Sequence, residues 1–418
     1  MKLYFKLIVT TVFCLWFQTI SAQEANYVLS QDEKQNIVTT IQSHLKTTYV
    51  NLEKVNKMIE ALNVNLKSKK YKAITNPTEF SKALTKDLQN SSKDLHLKMS
   101  YKPKQVAKNK QLASEDIRLK KEQMMAKKMA EINFGFIETK IMHGNIGYLN
   151  LRLFADTKYA EETATAAMSF LNNTNAIIID LRNNKGGVPS MVQLLSSYFF
   201  KDNPVLLSNF YERKTNAETQ LYTLNINEES KMVNKPLYIL TSKSTFSAAE
   251  AFAYSLKHYN KAIVVGEVTK GGANRTKRIT INNQFSISIP YIEAIHPVTK
   301  SNWEGVGVQP NIKTSKKDAF ARAYLEALNN TIKRNKKSVL NQVGYALLQE
   351  SKTEDAILIF KANTMSFPED ANTWDSLGEA YVINKQLEKA LTAYKKAITL
   401  DPNLESAKRM IQKLQSKS

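Results

Sequence analysis

The sequence predicts an α/β core flanked by helices: a helical segment before it and an all-α repeat segment after it. Three observations predict this. Short β-branched runs alternate with helical stretches between Ile146 and about residue 315; apolar residues recur at helical spacing before residue 96; and a 34-residue periodicity occupies the last eighty residues.

The core is read from Ile146–Leu149, Ile177–Asp180, Met191–Phe200, Leu237–Leu240, Ala248–His258, Ala262–Val265 and Ile279–Ile289. Apolar runs of four or five residues bounded by turn residues suit buried parallel strands. In the N-terminal part, Ile37, Ile41 and Leu45, then Val55, Met58, Ile59 and Leu62, then Phe80, Leu84 and Leu88 mark successive helix faces. Residues 101–145 are lysine-rich and read as a connecting helix or exposed arm. The repeats pair Gly344 with Gly378, Ala356 with Ala390, Phe360 with Tyr394 and Pro368 with Pro402. This is the tetratricopeptide pattern, in which small residues let helices approach and aromatics fill the gaps. Two repeats need a cap, expected from the helix at Phe320–Arg334, the tail helix at Leu404–Leu414, or the core. They offer a surface for a protein partner, or a stabilising appendage. The expected boundaries are 1–22, 23–100, 101–145, 146–318 and 319–418.

Residues 1–22 read as a signal peptide: Lys2 and Lys6 precede an apolar run to Phe17, and Ser21–Ala22 offers a small-residue cleavage site. Export to the periplasm or the medium is expected, with no later stretch apolar enough to span a membrane. The single cysteine, Cys14, lies in that segment, so the mature chain is expected to lack a thiol nucleophile, disulfides and cysteine metal ligands. No metal or cofactor motif is present. The formal charge of +21 is spread over helix faces and is read as solvated surface, not as a nucleic-acid footprint.

The chemistry centres on Ser247. Residues 236–256 read as a strand, a polar turn and a helix starting at that serine, whose unpaired first-turn amides and dipole favour a developing anion. An ordinary N-cap serine has the same signature. Ala176–Gly187 is a second strand running into a glycine pair, so amides of Gly186 or Gly187, with that of Ala248, can form an oxyanion hole. Glu250, three residues after Ser247, fits a capping box that returns its carboxylate to the N-cap amide.

The stretches Asp180-Leu-Arg-Asn-Asn-Lys-Gly-Gly187, Ser247-Ala-Ala-Glu250, Val265-Gly-Glu-Val-Thr269 and Glu304-Gly-Val-Gly-Val-Gln-Pro310 follow one another as in the C-terminal processing (tail-specific) serine peptidase superfamily. The resemblance covers roughly residues 70–315 and is greatest to the branch containing tricorn protease and interphotoreceptor retinoid-binding protein. It implies a crotonase-like mixed α+β peptidase core, a protein or peptide substrate, and Ser247 as nucleophile. Many members pair that serine with a lysine; here Gly272 falls at its place, and Lys270 is read as a solvated loop cation. The branch uses histidine instead, and His96 in Asp94-Leu-His96 matches its element. Asp94 or Glu304 would orient the ring. Asn184 and His296 are the candidate substrate-binding residues, His296 also the second choice for base. About fifty residues separate His96 from Ile146, too few for an inserted peptide-binding domain of full size. The alternative is a non-catalytic member that binds an apolar ligand or peptide in the same cleft.

Overall fold

The computed structural model describes residues 27–103, 106, 115–202 and 204–416; the expected signal peptide, the 1–22 boundary and Cys14 lie outside them. The chain divides into two compact units.

The first unit comprises the N-terminal region together with Phe210–Glu218 and Asn274–Ala294. Helices α1 (Gln31–Thr48), α2 (Leu52–Lys67) and α3 (Pro77–Ser92) start at Ser30, Asn51 and Asn76, each of whose side chains accepts a first-turn amide. Ile37, Ile41, Leu45, Val55, Met58, Leu62, Phe80, Leu84 and Leu88 are buried, and Phe285, Ile287 and Ile289 pack on them. Those three lie on β10 (Phe285–Ile295), which pairs antiparallel with both β1 (Lys98–Tyr101) and β9 (Arg275–Thr280). The sheet continues to β5 (Leu206–Glu212) and β6 (Ala217–Tyr222), in the order β1-β10-β5-β6 with β9 on β10.

The second unit holds helix α4 (Glu115–Ala130) from residue 122 onward and a six-stranded sheet ordered β11-β8-β7-β4-β3-β2. Its strands are β2 (Phe136–Met142), β3 (Ile146–Leu151), β4 (Ala176–Asp180), β7 (Leu237–Thr241), β8 (Ile263–Gly266) and β11 (Ile312–Lys313). All pairs are parallel except β2–β3. From β3 the chain moves one way across the sheet, and right-handed crossovers in one direction place every crossover helix on one face. Helices α5 (Thr157–Leu171), α6 (Pro189–Ser197) and α7 (Ala248–His258) are those helices, and Ile177, Ile179, Leu237, Ile239 and Val264 point to them. The alternate residues Ile146, Tyr148, Ile178, Tyr238, Leu240 and Val265 are left for another cover.

That cover is α8 (Ala319–Thr331), which shares one core with these strands and with the repeats. The repeats are α9 (Lys336–Gln349) with α10 (Thr353–Ser366), and α11 (Ala371–Ile383) with α12 (Leu387–Leu400); α13 (Glu405–Gln415) closes the stack. Helix, core and tail thus all cap the repeats. The glycine–aromatic pairing is physical: a Cβ on Gly378 would meet the Tyr394 ring at 2.7 Å, and one on Gly344 would strike Phe360. The sheet starts at Phe136, inside the expected connector. Three of the seven residues of β2 are polar or charged, so its composition merges with the lysine-rich stretch before it.

Candidate active site

Loops at the carboxyl ends of β4 and β7 form the Ser247 turn, where open α/β sheets place ligands. Side chains of the second loop bind backbone of the first: Thr245 Oγ1 donates to the Leu181 carbonyl at 2.8 Å, and Ser242 Oγ to that of Arg182 at 2.5 Å. The Phe246 amide donates to the Asn184 carbonyl at 3.1 Å. Asp180, at the end of β4, is held by Arg182 (Nη2 at 2.6 Å) and by the Tyr148 hydroxyl at 2.9 Å. Arg182 Nη1 also donates to the Lys316 carbonyl at 2.9 Å, which ties the glycine loop to the chain entering α8.

Ser247 caps α7 with φ 56° and ψ −121°. A side chain in that region stores strain of about 1–3 kcal/mol, and such residues collect at functional sites. The turn brings the serine against Gly186, where a Cβ would meet Ser247 Cβ and the Phe246 carbonyl oxygen, each at 2.7 Å. Only glycine fits there, and its φ of +96° adds the same demand.

Glu250 fastens the turn. Wholly buried, its carboxylate accepts the Ser247 amide at 2.7 Å, as the capping-box reading predicts. It also accepts the amides of Gly271 and Gly272 at 2.6 and 2.9 Å and the Thr269 hydroxyl at 2.5 Å. Burial pushes its pKa up, the largest influence, and these four donors oppose it. Gly272, at the lysine position of the resembling peptidases, thus serves through its backbone: its carbonyl accepts Trp303 Nε1 at 2.9 Å. The next amide, of Ala273, donates to Glu304 Oε2 at 2.7 Å. Lys270 is exposed, and its ammonium stands 5.1 Å from the centre of the Phe246 ring, a cation–π contact.

Three candidates take other roles in this geometry. The Gly186 amide donates to Asn184 Oδ1 at 2.7 Å, so it is already engaged and the oxyanion reading of it is corrected. Gly187, by contrast, is exposed, and Ala248 begins α7 where first-turn amides lack helical acceptors. Asn184 is corrected from substrate binding to scaffold: it is fully buried, and its Nδ2 donates to the Leu151 carbonyl at 3.0 Å. His296 is corrected too. It is buried among Tyr254, Tyr259 and His258, with ring centres 5.2–5.8 Å away, and has no face to substrate. Burial first, then the charge of His258, pushes its pKa down to about 4.

Asp94 and His96 belong to the first unit. Asp94 is fully buried; it accepts the Tyr49 hydroxyl at 2.8 Å and the His96 amide at 3.0 Å, and its Oδ1 lies 3.6 Å from His96 Nδ1. Burial pushes this carboxyl up, but His96, Tyr49 and the His96 amide together hold it below its ordinary value. The local turn therefore turns Nδ1 of the ring toward the carboxylate. Sequence reasoning missed the roles of Tyr49, Thr269 and Thr245, which no spacing announces because their partners are distant in the chain; the Asp180–Arg182 pair lies within a quoted motif, but its ion pair was not read.

Comparison with known proteins agrees with this architecture. Residues 145–314 match the model of peptidase family S41, residues 23–136 that of the N-terminal domain of S41 peptidases described from eukaryotic IRBP, and residues 371–404 a tetratricopeptide repeat. Carboxy-terminal processing protease CtpB of Bacillus subtilis is 24% identical over 64% of this chain and 56% of its own length. Carboxyl-terminal-processing peptidase 2 of Arabidopsis thaliana chloroplasts is 32% identical over 40% of this chain and 31% of its own. The chain thus spans about half the length, or less, of these relatives. A solved peptidase structure from Parabacteroides merdae shares the fold at 16% identity, TM-score 0.51, over 72% of this chain and 99% of that one. The fold and the ordered motifs define a serine-peptidase class of protein. Residues 145–314 carry a peptidase family S41 domain.

Proposed function

We propose that the protein is an exported serine peptidase that hydrolyses peptide bonds of protein substrates through an acyl-enzyme on Ser247. The observation that carries this reading is the positive-φ serine at the head of α7, pressed against Gly186 and fastened by Glu250. His96 takes the Ser247 proton as Oγ attacks the scissile carbonyl, and Asp94 or Glu304 holds the ring in the required tautomer. The amides of Gly187 and Ala248 receive the oxyanion. Collapse breaks the C–N bond as His96 returns the proton to the leaving amine; water, deprotonated by the same ring, then releases the acyl group. Two processing proteases among the relatives make protein C-terminal tails the favoured substrate class, with the repeats as a surface for a protein partner or for the substrate.

Incubation of the mature chain from Gln23 with an unfolded protein tests this. Fragments that disappear with Ser247→Ala support it. Absence of any Ser247-dependent fragment, with retained binding of apolar probes or peptide, would assign the cleft to ligand binding instead.

A further inference from the structure

Strand β2 is the edge of the six-stranded sheet, with β3 its one strand partner among the described residues. An edge strand offers a row of unpaired amides and carbonyls to any strand laid beside it. Its sequence, Phe136-Ile-Glu-Thr-Lys-Ile-Met142, has a symmetry that matters at such an edge. A second copy laid antiparallel with its two-fold axis on Thr139 sets Glu138 opposite Lys140, twice, and Ile137 opposite Ile141, twice.

We propose that β2 is a homodimerisation edge: two copies of this chain pair β2 to β2 and join their six-stranded sheets across a two-fold axis. Ile137 and Ile141 are large apolar residues left 52% and 49% exposed, and the pairing covers each with the other. Directly opposed apolar and opposite-charge residues are the favourable cross-strand pairs. An isologous contact of this kind needs a surface complementary to itself, which this heptapeptide supplies. Lysine, charge and a bulge are also the devices that keep an edge single. A lone lysine repels its own copy, however, whereas Lys140 meets Glu138 in each half. In the single chain Lys140 Nζ already lies 3.0 Å from Glu138 Oε1, and 3.7 Å from Glu350 Oε2. Pairing exchanges the two Glu138–Lys140 contacts of a pair of chains for two between them at little net cost, so burial of the isoleucines supplies the drive. The register shift with β3 near Ile137 marks where regular pairing ends.

Sedimentation equilibrium of the mature chain up to about 100 µM should show a concentration-dependent dimer. Lys140→Glu and Glu138→Lys each put like charges opposite one another twice and should weaken it roughly tenfold or more. Mixing the two variants should restore a heterodimer, and the double swap Glu138→Lys/Lys140→Glu should restore the homodimer. A wild-type chain that remains monomeric, or a dimer indifferent to both single substitutions, overturns the proposal. Hydrogen exchange on the unmodified protein gives an independent reading: β2 amides gain protection with concentration if the edge pairs. Unchanged β2 exchange in a dimer places the contact elsewhere and also overturns it.

Discussion

Glu250 and Asp94 are both buried carboxylates crowded with donors, yet they depart from their ordinary values in opposite directions. Around Glu250 burial wins and the pKa rises, although three amides and a hydroxyl point at it. Around Asp94 the donors and the His96 ring win and the pKa falls. The difference is the imidazole beside Asp94, which adds a Coulombic influence and a hydrogen bond that lower its pKa, whereas the neutral donors of Glu250 do not repay desolvation in full. One carboxylate holds a strained backbone turn, the other lies against an imidazole ring.

Asn in place of Asp94 should show this difference at its largest. It keeps the shape but loses the charge that favours the imidazolium and fixes its tautomer. Peptidase kcat/KM should fall by on the order of 10³–10⁴, with KM little altered and unfolding free energy changed far less. If Glu304 is the orienting group instead, Asp94→Asn leaves kcat/KM nearly unchanged and Glu304→Gln takes the loss.

Glu250→Ala should act in the opposite sense, on folding before chemistry. It leaves three amides without an acceptor, two of them buried and each of those costing about 1–3 kcal/mol, so urea unfolding should show a loss of several kcal/mol. Glu250→Ala unfolding at the wild-type midpoint would remove the fastening role argued for it.

The pH dependence separates the pair more finely. The stability that Asp94 contributes is present above its unfolded value near 3.8 and is lost as pH falls through its lower folded value. For Glu250 the sign reverses. Its contribution is full below its unfolded value near 4.5 and is lost as pH rises through its higher folded value. Against Glu250→Gln, wild-type stability should therefore be relatively greatest in acid and decline above that range; against Asp94→Asn it should decline into acid. Denaturant midpoints measured from pH 3 to 7 on the three proteins would reveal parallel curves if the two carboxylates were equivalent.

Tyr49→Phe is the smallest step. It removes one of the donors to Asp94 and should cost about 1 kcal/mol, with the acid limb of stability moving toward higher pH. A shift toward lower pH would mean that the hydroxyl does not serve the ionised carboxylate.

Much of this was legible before any coordinates. Short continuous apolar runs such as Ala176–Ile179 mark strands buried on both faces, and the faces through Ile41 and Phe80 mark helices, because burial imposes those patterns whatever the partner. The Ser247 turn was legible as a helix head, and the capping box at Glu250 follows from three-residue spacing alone. The amides of Gly271 and Gly272 on Glu250 leave no such trace, since any residue carries an amide. Asn184 and His296 misled for a related reason: polar residues beside a motif look available for ligand until packing shows what encloses them. Strand β2 escaped because an edge strand needs only half its residues apolar, and its lysine and glutamate resemble the connector before it.

The central claim is that Ser247 is a nucleophile activated by His96. Time-resolved labelling of the mature protein with a fluorophosphonate, with the adduct located by peptide mass spectrometry, tests it most directly. The account predicts one adduct, on Ser247, abolished by Ser247→Ala and slowed by on the order of 10³-fold or more by His96→Ala. A folded protein that takes no label at Ser247, or labels there at the same rate without His96, would contradict it.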